Sequence, residues 1–187
     1  MTLEIRPLSE YHRPDLDRLI VGYDSLAQYR VTWHDTPLET SFHVVYEPLD
    51  APLRKDWDTH EDDYERYREL IGQGNCLGAY LDEELVGLSI NEPFEWNRSL
   101  WIWEFHVARE HWRKGIGRAL MDANAALGRR LNMRTMLLET ANTNSQAIAF
   151  YRSVGFRLEG IEISRYSNHD LDPGGEVAFF MKRRLEE

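Results

Sequence analysis

The sequence predicts an α/β protein, a mixed β-sheet carrying helices. Three observations support this. Between Leu77 and Val107, apolar residues run in strand-length blocks separated by turn residues. Ile116, Leu120, Ala123, Leu127 and Leu131 then share one helical stripe, and Ala147, Phe150, Tyr151 and Val154 share a second. Between the stripes lies a short strand-like block, Met136-Leu137-Leu138. The order is hairpin, strand, helix, strand, helix and closing hairpin.

Taken in order, Leu3, Ile5 and Leu8 frame a first short strand. Leu16, Leu19, Ile20 and Tyr23 recur at helical spacing and predict an amphipathic helix over 11–23. Residues 24–60 show no clear period; they hold Pro37, Pro48, Pro52 and one β-like run, Phe42 to Tyr46. A helix is predicted over 61–71 with Tyr64, Tyr67, Leu70 and Ile71 on one side, ended by Gly72 and Gly74. Leu77 to Leu81 reads as a strand, Asp82-Glu83-Glu84 as a turn, and Leu85 to Ile90 or beyond as the antiparallel return. Asn97-Arg98-Ser99 turns the chain into a third strand, Leu100 to Val107. After the two helical stripes, Gly155 closes the second helix and strands near 156–164 and 176–183 finish the chain. No repeat, low-complexity tract or linker interrupts it, so a single domain over 1–187 is expected.

Composition excludes several classes. Hydrophobic residues make up 42% and charged residues 29%, the balance of a soluble chain. No apolar run approaches the roughly 18–20 residues of a membrane span. The first residues, Met1 to Arg6, lack a basic-then-apolar leader, so a cytoplasmic protein is expected. A net charge of −10 and a pI near 5.2 argue against a nucleic-acid partner and suit a cationic ligand. The lone Cys76 permits no internal disulfide; set in an apolar run without a base nearby, it reads as a small buried hydrophobe. The seven histidines are scattered, and no metal is predicted.

The first informative motif is Arg113-Lys114-Gly115-Ile116-Gly117-Arg118-Ala119, set between a strand and an amphipathic helix. Glycines let backbone N–H groups turn toward a ligand. A helix N-terminus adds unpaired donors and partial positive charge. Three basic side chains add formal charge, so the segment suits a pyrophosphate. A plain tight turn before a helix would share the two glycines. The P-loop pattern is absent, and the dinucleotide fingerprint fails because Leu120 stands where its third glycine would be.

The second motif, at 144–156, reads Asn-Ser-Gln-Ala-Ile-Ala-Phe-Tyr-Arg-Ser-Val-Gly-Phe. It resembles the N-x-x-A-x-x-F-Y-x-x-x-G-F pattern of the GNAT N-acetyltransferase superfamily at every fixed position, and it follows the glycine loop at the expected distance. The resemblance covers residues 75–183 well and 1–74 loosely. One position departs: Trp112 stands where the superfamily loop usually begins with Gln or Arg. A narrower resemblance, to streptothricin acetyltransferases, is carried by Trp96-Asn97-Arg98, by Leu137 to Thr140 with Asn142 and Asn144, and by Tyr166-Ser167-Asn168 with Glu176 to Phe180.

The resemblance implies a central, mostly antiparallel sheet with flanking helices, and direct transfer of acetyl from acetyl-CoA, used as co-substrate, to a primary amine. It implies a small-molecule amine acceptor and allows a homodimer. Main-chain groups of Phe105, His106 and Val107 are expected to pair with the pantetheine arm, and Arg113 through Ala119 to hold the phosphates. Tyr151 falls on the family's tyrosine and is expected to donate to the departing sulfur; a packed helix aromatic is its other reading. Glu104, a carboxylate in an apolar strand, is the leading base, with His106 on the same face by alternation as the runner-up. Glu139 reads either as a surface carboxylate at a strand end or as a partner for the acceptor's ammonium. Asn144 reads as a helix N-cap that also touches pantetheine. Trp101, Trp103 and Trp112 read as core or groove wall. The acid- and aromatic-rich stretch from Asp56 to Glu69 reads either as a solvated helix face or as an acceptor pocket. Two further functions fit the same residues: acetylation of a protein or peptide amine, and non-catalytic sensing of acetyl-CoA.

Overall fold

The computed structural model describes residues 2–10, 12–57 and 61–185. Tyr11, where the first predicted helix begins, and residues 58–60 of the acid-rich stretch lie outside the described residues. In chain order the elements are β1 (Leu3–Pro7), α1 (Arg13–Leu19), β2 (Tyr23–Asp35), β3 (Thr40–Lys55), α2 (Glu61–Gly72), β4 (Leu77–Leu81), β5 (Glu84–Phe94), β6 (Ser99–Val107), α3 (Ile116–Arg130), β7 (Thr135–Ala141), α4 (Ser145–Ser153), β8 (Arg157–Glu162) and β9 (Ala178–Arg184). The chain forms two compact units. One comprises Met1–Val21, Trp57–Leu138 and Arg183–Glu187, the other Gly22–Asp56 and Glu139–Lys182.

In the first unit the strands run in the order β1-β4-β5-β6-β7. The β6–β7 pair is parallel and the other neighbours are antiparallel. The tight turn from β4 to β5 places Asp82 and Glu83 at φ +46° and +74°, the mirror-image turn geometry that suits twisted hairpins. β5 is buried continuously from Leu85 to Asn91. Leu88 and Ile90 pack with Leu16 and Leu19 of α1 and with Tyr64, Tyr67, Leu70 and Ile71 of α2. Val86 packs with Ile116 of α3 and with Ala79 of β4. A strand covered by helices in this way loses the apolar–polar alternation of a half-exposed one. Cys76 is fully buried, and burial pushes its thiol up to about 11, so it is an inert core group.

One interior feature departs from the helical stripe. Ala123 and Leu131 are only half-buried, whereas Asn124 is fully buried. Its amide closes a ring with two β5 side chains. Ser89 Oγ donates to Asn91 Oδ1 at 2.7 Å, Asn91 Nδ2 to Asn124 Oδ1 at 2.7 Å, and Asn124 Nδ2 to Ser89 Oγ at 2.9 Å. A fully satisfied polar ring tolerates burial and fixes the register of α3 on β5.

The second unit corrects the first predicted helix. α1 ends at Leu19, and Tyr23 opens the long β2–β3 ribbon by pairing with Lys55. The reason is at Gly22. A Cβ there would lie 1.7 Å from the Lys55 carbonyl oxygen, so the two backbones approach as only glycine permits. The ribbon fills the segment where the sequence showed only Phe42 to Tyr46. Its inward residues Tyr23, Ser25, Ala27 and Val31 are mostly small or polar, and Leu26 between them is 67% exposed, which hides the alternation. Pro48 is tolerated because it closes a run of pairs: it faces Ala27, and the register then shifts so that Leu53 faces Ser25. Asn142 anchors the ribbon. Its carbonyl accepts from Tyr29 N at 2.9 Å, its amide donates to Tyr29 O at 2.8 Å, and its Oδ1 accepts from Val177 N at 2.8 Å. α4 follows, capped by Asn144, whose side chain accepts from Ala147 N, and Gly155 at φ +94° ends it. β8 and β9 pair antiparallel.

Among the described residues no helix is long and apolar enough to cross a membrane.

Candidate active site

In the first unit the predicted residues gather on β6 and the loop after it. β6 carries a bulge. Ile90 opposes Glu104 while Asn91 opposes Ile102, which leaves Trp103 as the extra residue. The β7 ladder also ends here, at Ile102 with Leu138, while β6 continues alongside β5 to Val107. The bulge falls before Glu104, so alternation holds beyond it, and Glu104 and His106 share a face. His106 Nε2 lies 2.6 Å from Glu104 Oε2, and the two side chains are 17% and 20% exposed. The other oxygen, Oε1, accepts from the Tyr67 hydroxyl of α2. Burial, with the Glu104 charge second, drives the Tyr67 phenol well above its ordinary value, so it stays protonated and remains a donor. A carboxylate is acceptor-only. In the neutral imidazole the proton between Glu104 and His106 therefore sits on Nε2, which leaves the lone pair on Nδ1.

Sequence reasoning missed Tyr67 as a site residue, although it lies within the acid-rich stretch singled out above. Of the carboxylates of that helix, Glu61, Asp62, Glu65 and Glu69 are exposed and Asp63 is half-buried, whereas the tyrosines turn inward. The bulged Trp103 is held by its neighbours. Its indole donates to Glu92 at 2.8 Å, Arg66 stacks 3.9 Å above its ring centre, and Trp101 stacks at 4.7 Å.

The loop after β6 has the geometry of an anion cradle. Arg113 sits at φ +59° and Gly115 at φ +86°, and Gly115 caps α3. A Cβ at Gly115 would meet no protein atom within 4 Å, so the space above the loop is open. Arg113, Lys114, Gly115 and Arg118 are exposed; Gly117 and Ala119 are half-buried and Ile116 is anchored in the core. The first helical N–H groups, which have no intrahelical acceptor, belong to this turn. Trp112, at the departing position, has a specific task. Its indole N–H donates to the Val107 carbonyl at 2.6 Å and ties the loop to the end of β6, with Arg109 5.6 Å from its ring centre.

The second unit holds the other predicted residues. Tyr151 lies on α4, 9% exposed, with its ring 5.6 Å from Phe150 and 5.9 Å from Phe156. Asn144 is the cap already described. Glu139, near the end of β7, is half-buried and accepts from the Tyr166 hydroxyl. Burial first, then the Glu139 charge, hold that phenol above its ordinary value. A second carboxylate that sequence reasoning left without a role, Glu176, pairs with Lys55 through Oε2. Its Oε1 accepts from Thr143 at 2.6 Å and from Tyr23 at 2.9 Å. No group of three or more His, Cys, Asp or Glu among the described residues is arranged to hold a metal.

A bulged central strand, a glycine loop that caps a helix and an N-x-x-A-x-x-F-Y helix together define an acyl-CoA transferase architecture. The profile of the Acetyltransferase (GNAT) family matches residues 41–156, more than half of the chain, and the chain belongs to that family. Among curated proteins, a streptothricin acetyltransferase of Streptomyces lavendulae is 35% identical over 106 residues. That match covers 57% of this chain and 54% of the relative, so the chain matches about half of the relative's length. Among solved structures, a nourseothricin acetyltransferase superposes with a TM-score of 0.77 at 25% identity, covering 100% of both chains. A Bacillus anthracis protein crystallised with acetyl coenzyme A shares the fold at a TM-score of 0.74 and 22% identity, covering 100% of this chain and 99% of that one.

Proposed function

We propose that the chain is an acetyl-CoA-dependent N-acetyltransferase whose acceptor is a small cationic amine of the streptothricin type. The observation that carries this reading is the Glu104–His106 pair, set on the strand that runs directly into the Gly115 cradle. Such a strand supplies a proton acceptor beside the place where a phosphate-anchored thioester would lie. Family membership and the names of the relatives support the same reading, and the net charge of −10 suits a cationic acceptor.

In this reading Arg113 to Ala119 hold the phosphates, and the β6 main chain at Phe105 to Val107 aligns the pantetheine, with Asn144 contributing from its cap. An aliphatic amine with a pKa near ~10.4 is almost wholly protonated at neutral pH and must lose a proton before it attacks. His106 Nδ1 takes that proton, directly or through water, with Glu104 fixing the ring and stabilising the imidazolium. The amine nitrogen bonds to the thioester carbonyl carbon, the C–S bond breaks as the adduct collapses, Tyr151 supplies the proton for the departing thiolate, and the second proton of the attacking nitrogen returns to Tyr151 directly or through water. Glu139 meets a positive charge of the acceptor.

The test is thiol release from acetyl-CoA by the purified protein, with streptothricin beside aminoglycosides, polyamines and peptide amines. Release with streptothricin and little with peptides is expected. Silence with every amine despite measurable acetyl-CoA binding would overturn the enzymatic reading. In the same assay Tyr151→Phe is expected to lower kcat by about 10- to 100-fold with acetyl-CoA affinity unchanged. Undiminished turnover would remove Tyr151 from the acid role.

A further inference from the structure

The second unit contains an ammonium site that is already filled from within. Lys55, the last residue of β3, stands opposite Tyr23 across the ribbon and places its Nζ on Glu176 Oε2. Around it are the parts that recognise an alkylammonium. Glu176 is fixed by hydrogen bonds from Tyr23 and Thr143. Glu139 is fixed by Tyr166 and acts electrostatically on Lys55. The Tyr166 ring centre lies 5.7 Å from Nζ, within cation–π range. The floor is buried, with Tyr23 7% and Thr143 4% exposed, whereas Tyr166 at the rim is 46% exposed.

We propose that Lys55 is a resident surrogate for the acceptor's ammonium, and that a primary alkylammonium of the acceptor displaces it from Glu176 and Glu139. The proposal rests on the cationic-acceptor reading above and assigns that reading a specificity-determining residue. Glu176 and Glu139 both act on the one ammonium of Lys55, which makes this a place that favours a cation. Lysine suits the task because its ammonium rides on a flexible four-carbon stem that can swing to water. Burial lowers the Lys55 ammonium pKa, with Glu139 pulling it back up. The device selects acceptors: an amine must present a cation that competes with a tethered one, and neutral or singly weak ligands are refused.

The test is calorimetric binding of 1,5-diaminopentane to the full chain, without acetyl-CoA, at low ionic strength. Removing a tethered competitor raises apparent affinity by the inverse of the fraction of time the site is open. For a partly exposed ion pair this predicts about fivefold tighter binding by Lys55→Met. Lys55→Gln guards against a folding effect and is expected to change affinity in the same direction. Glu176→Gln is expected to weaken binding, and 1,5-pentanediol not to bind. Unchanged or weaker binding by both Lys55 variants, or no binding by any protein, overturns the proposal. Failure of the enzymatic reading shows separately, as absent thiol release while the Lys55 variants still bind the diamine more tightly.

Discussion

Glu104→Gln and His106→Ala are each expected to lower kcat by about 10²- to 10⁴-fold, the usual contribution of a positioned general base. Glu104 accepts on both oxygens, from Tyr67 and from His106. A carboxamide has only one acceptor oxygen. In Glu104→Gln, either Tyr67 or His106 therefore faces an N–H. If the histidine faces it, Nε2 must become the acceptor, and the proton moves to Nδ1, where the lone pair was needed. The isosteric change keeps the packing and removes the function. Because the two groups act as one unit, the double variant is expected to lose little more than either single one. Tyr67→Phe, which loosens Glu104 without removing it, is expected to cost about tenfold. The discriminating measurement is kcat alongside acetyl-CoA affinity, which stays within about twofold in all four proteins. Single variants that retain turnover within threefold of the parent would place the base elsewhere.

Gly115→Val is expected to reduce acetyl-CoA affinity by about 100-fold. At φ +86° a β-branched residue is strongly disfavoured, at a cost of roughly 1–2 kcal/mol. A Cβ meets no protein atom within 4 Å, so the scaffold itself is not what excludes a side chain. The valine either stands in the open space above the loop, where we propose that the phosphates lie, or forces the loop out of its left-handed turn and misaligns the N–H groups of α3. Both outcomes damage binding and leave the fold largely intact. Gly115→Asn, which tolerates the left-handed region, is expected to keep affinity within about tenfold. Isothermal titration with acetyl-CoA distinguishes these cases. Parent-like affinity in Gly115→Val would show that the phosphates are held elsewhere.

The elements legible in the sequence were those whose burial follows a single period. Leu77 to Leu81, the return through Ile90, and α3 behind its glycine loop carry their patterns in large apolar residues, and the structure shows each of them. The β2–β3 ribbon was not legible, because its inward positions are Ser25 and Ala27 while Leu26 points outward. A register shift beside Pro48 further breaks the two-residue period. The first helix was overextended for a related reason. Tyr23 continues the helical spacing of Leu16 and Leu19, yet it is buried as a strand residue against Thr143 and Glu176.

The sequence by itself determined the class of fold, and it carries the glycine loop before α3 and the helix motif that resemble the family. Each of these is a local pattern in which backbone freedom, helix start and side-chain type lie within a few residues of one another. The placing of Glu104 and His106 on one face was also readable from strand alternation, because the bulge at Trp103 falls before Glu104 and not between the two. Only the tertiary structure decided that Tyr67 holds Glu104 from a helix 37 positions earlier in the chain. The same is true of Asn124 closing a polar ring on β5, and of Lys55 neutralising Glu176 across a gap of more than a hundred residues. Hydrogen bonds and ion pairs are short-ranged in space and indifferent to sequence separation. Polar partners brought together by folding therefore leave no periodic trace in the chain.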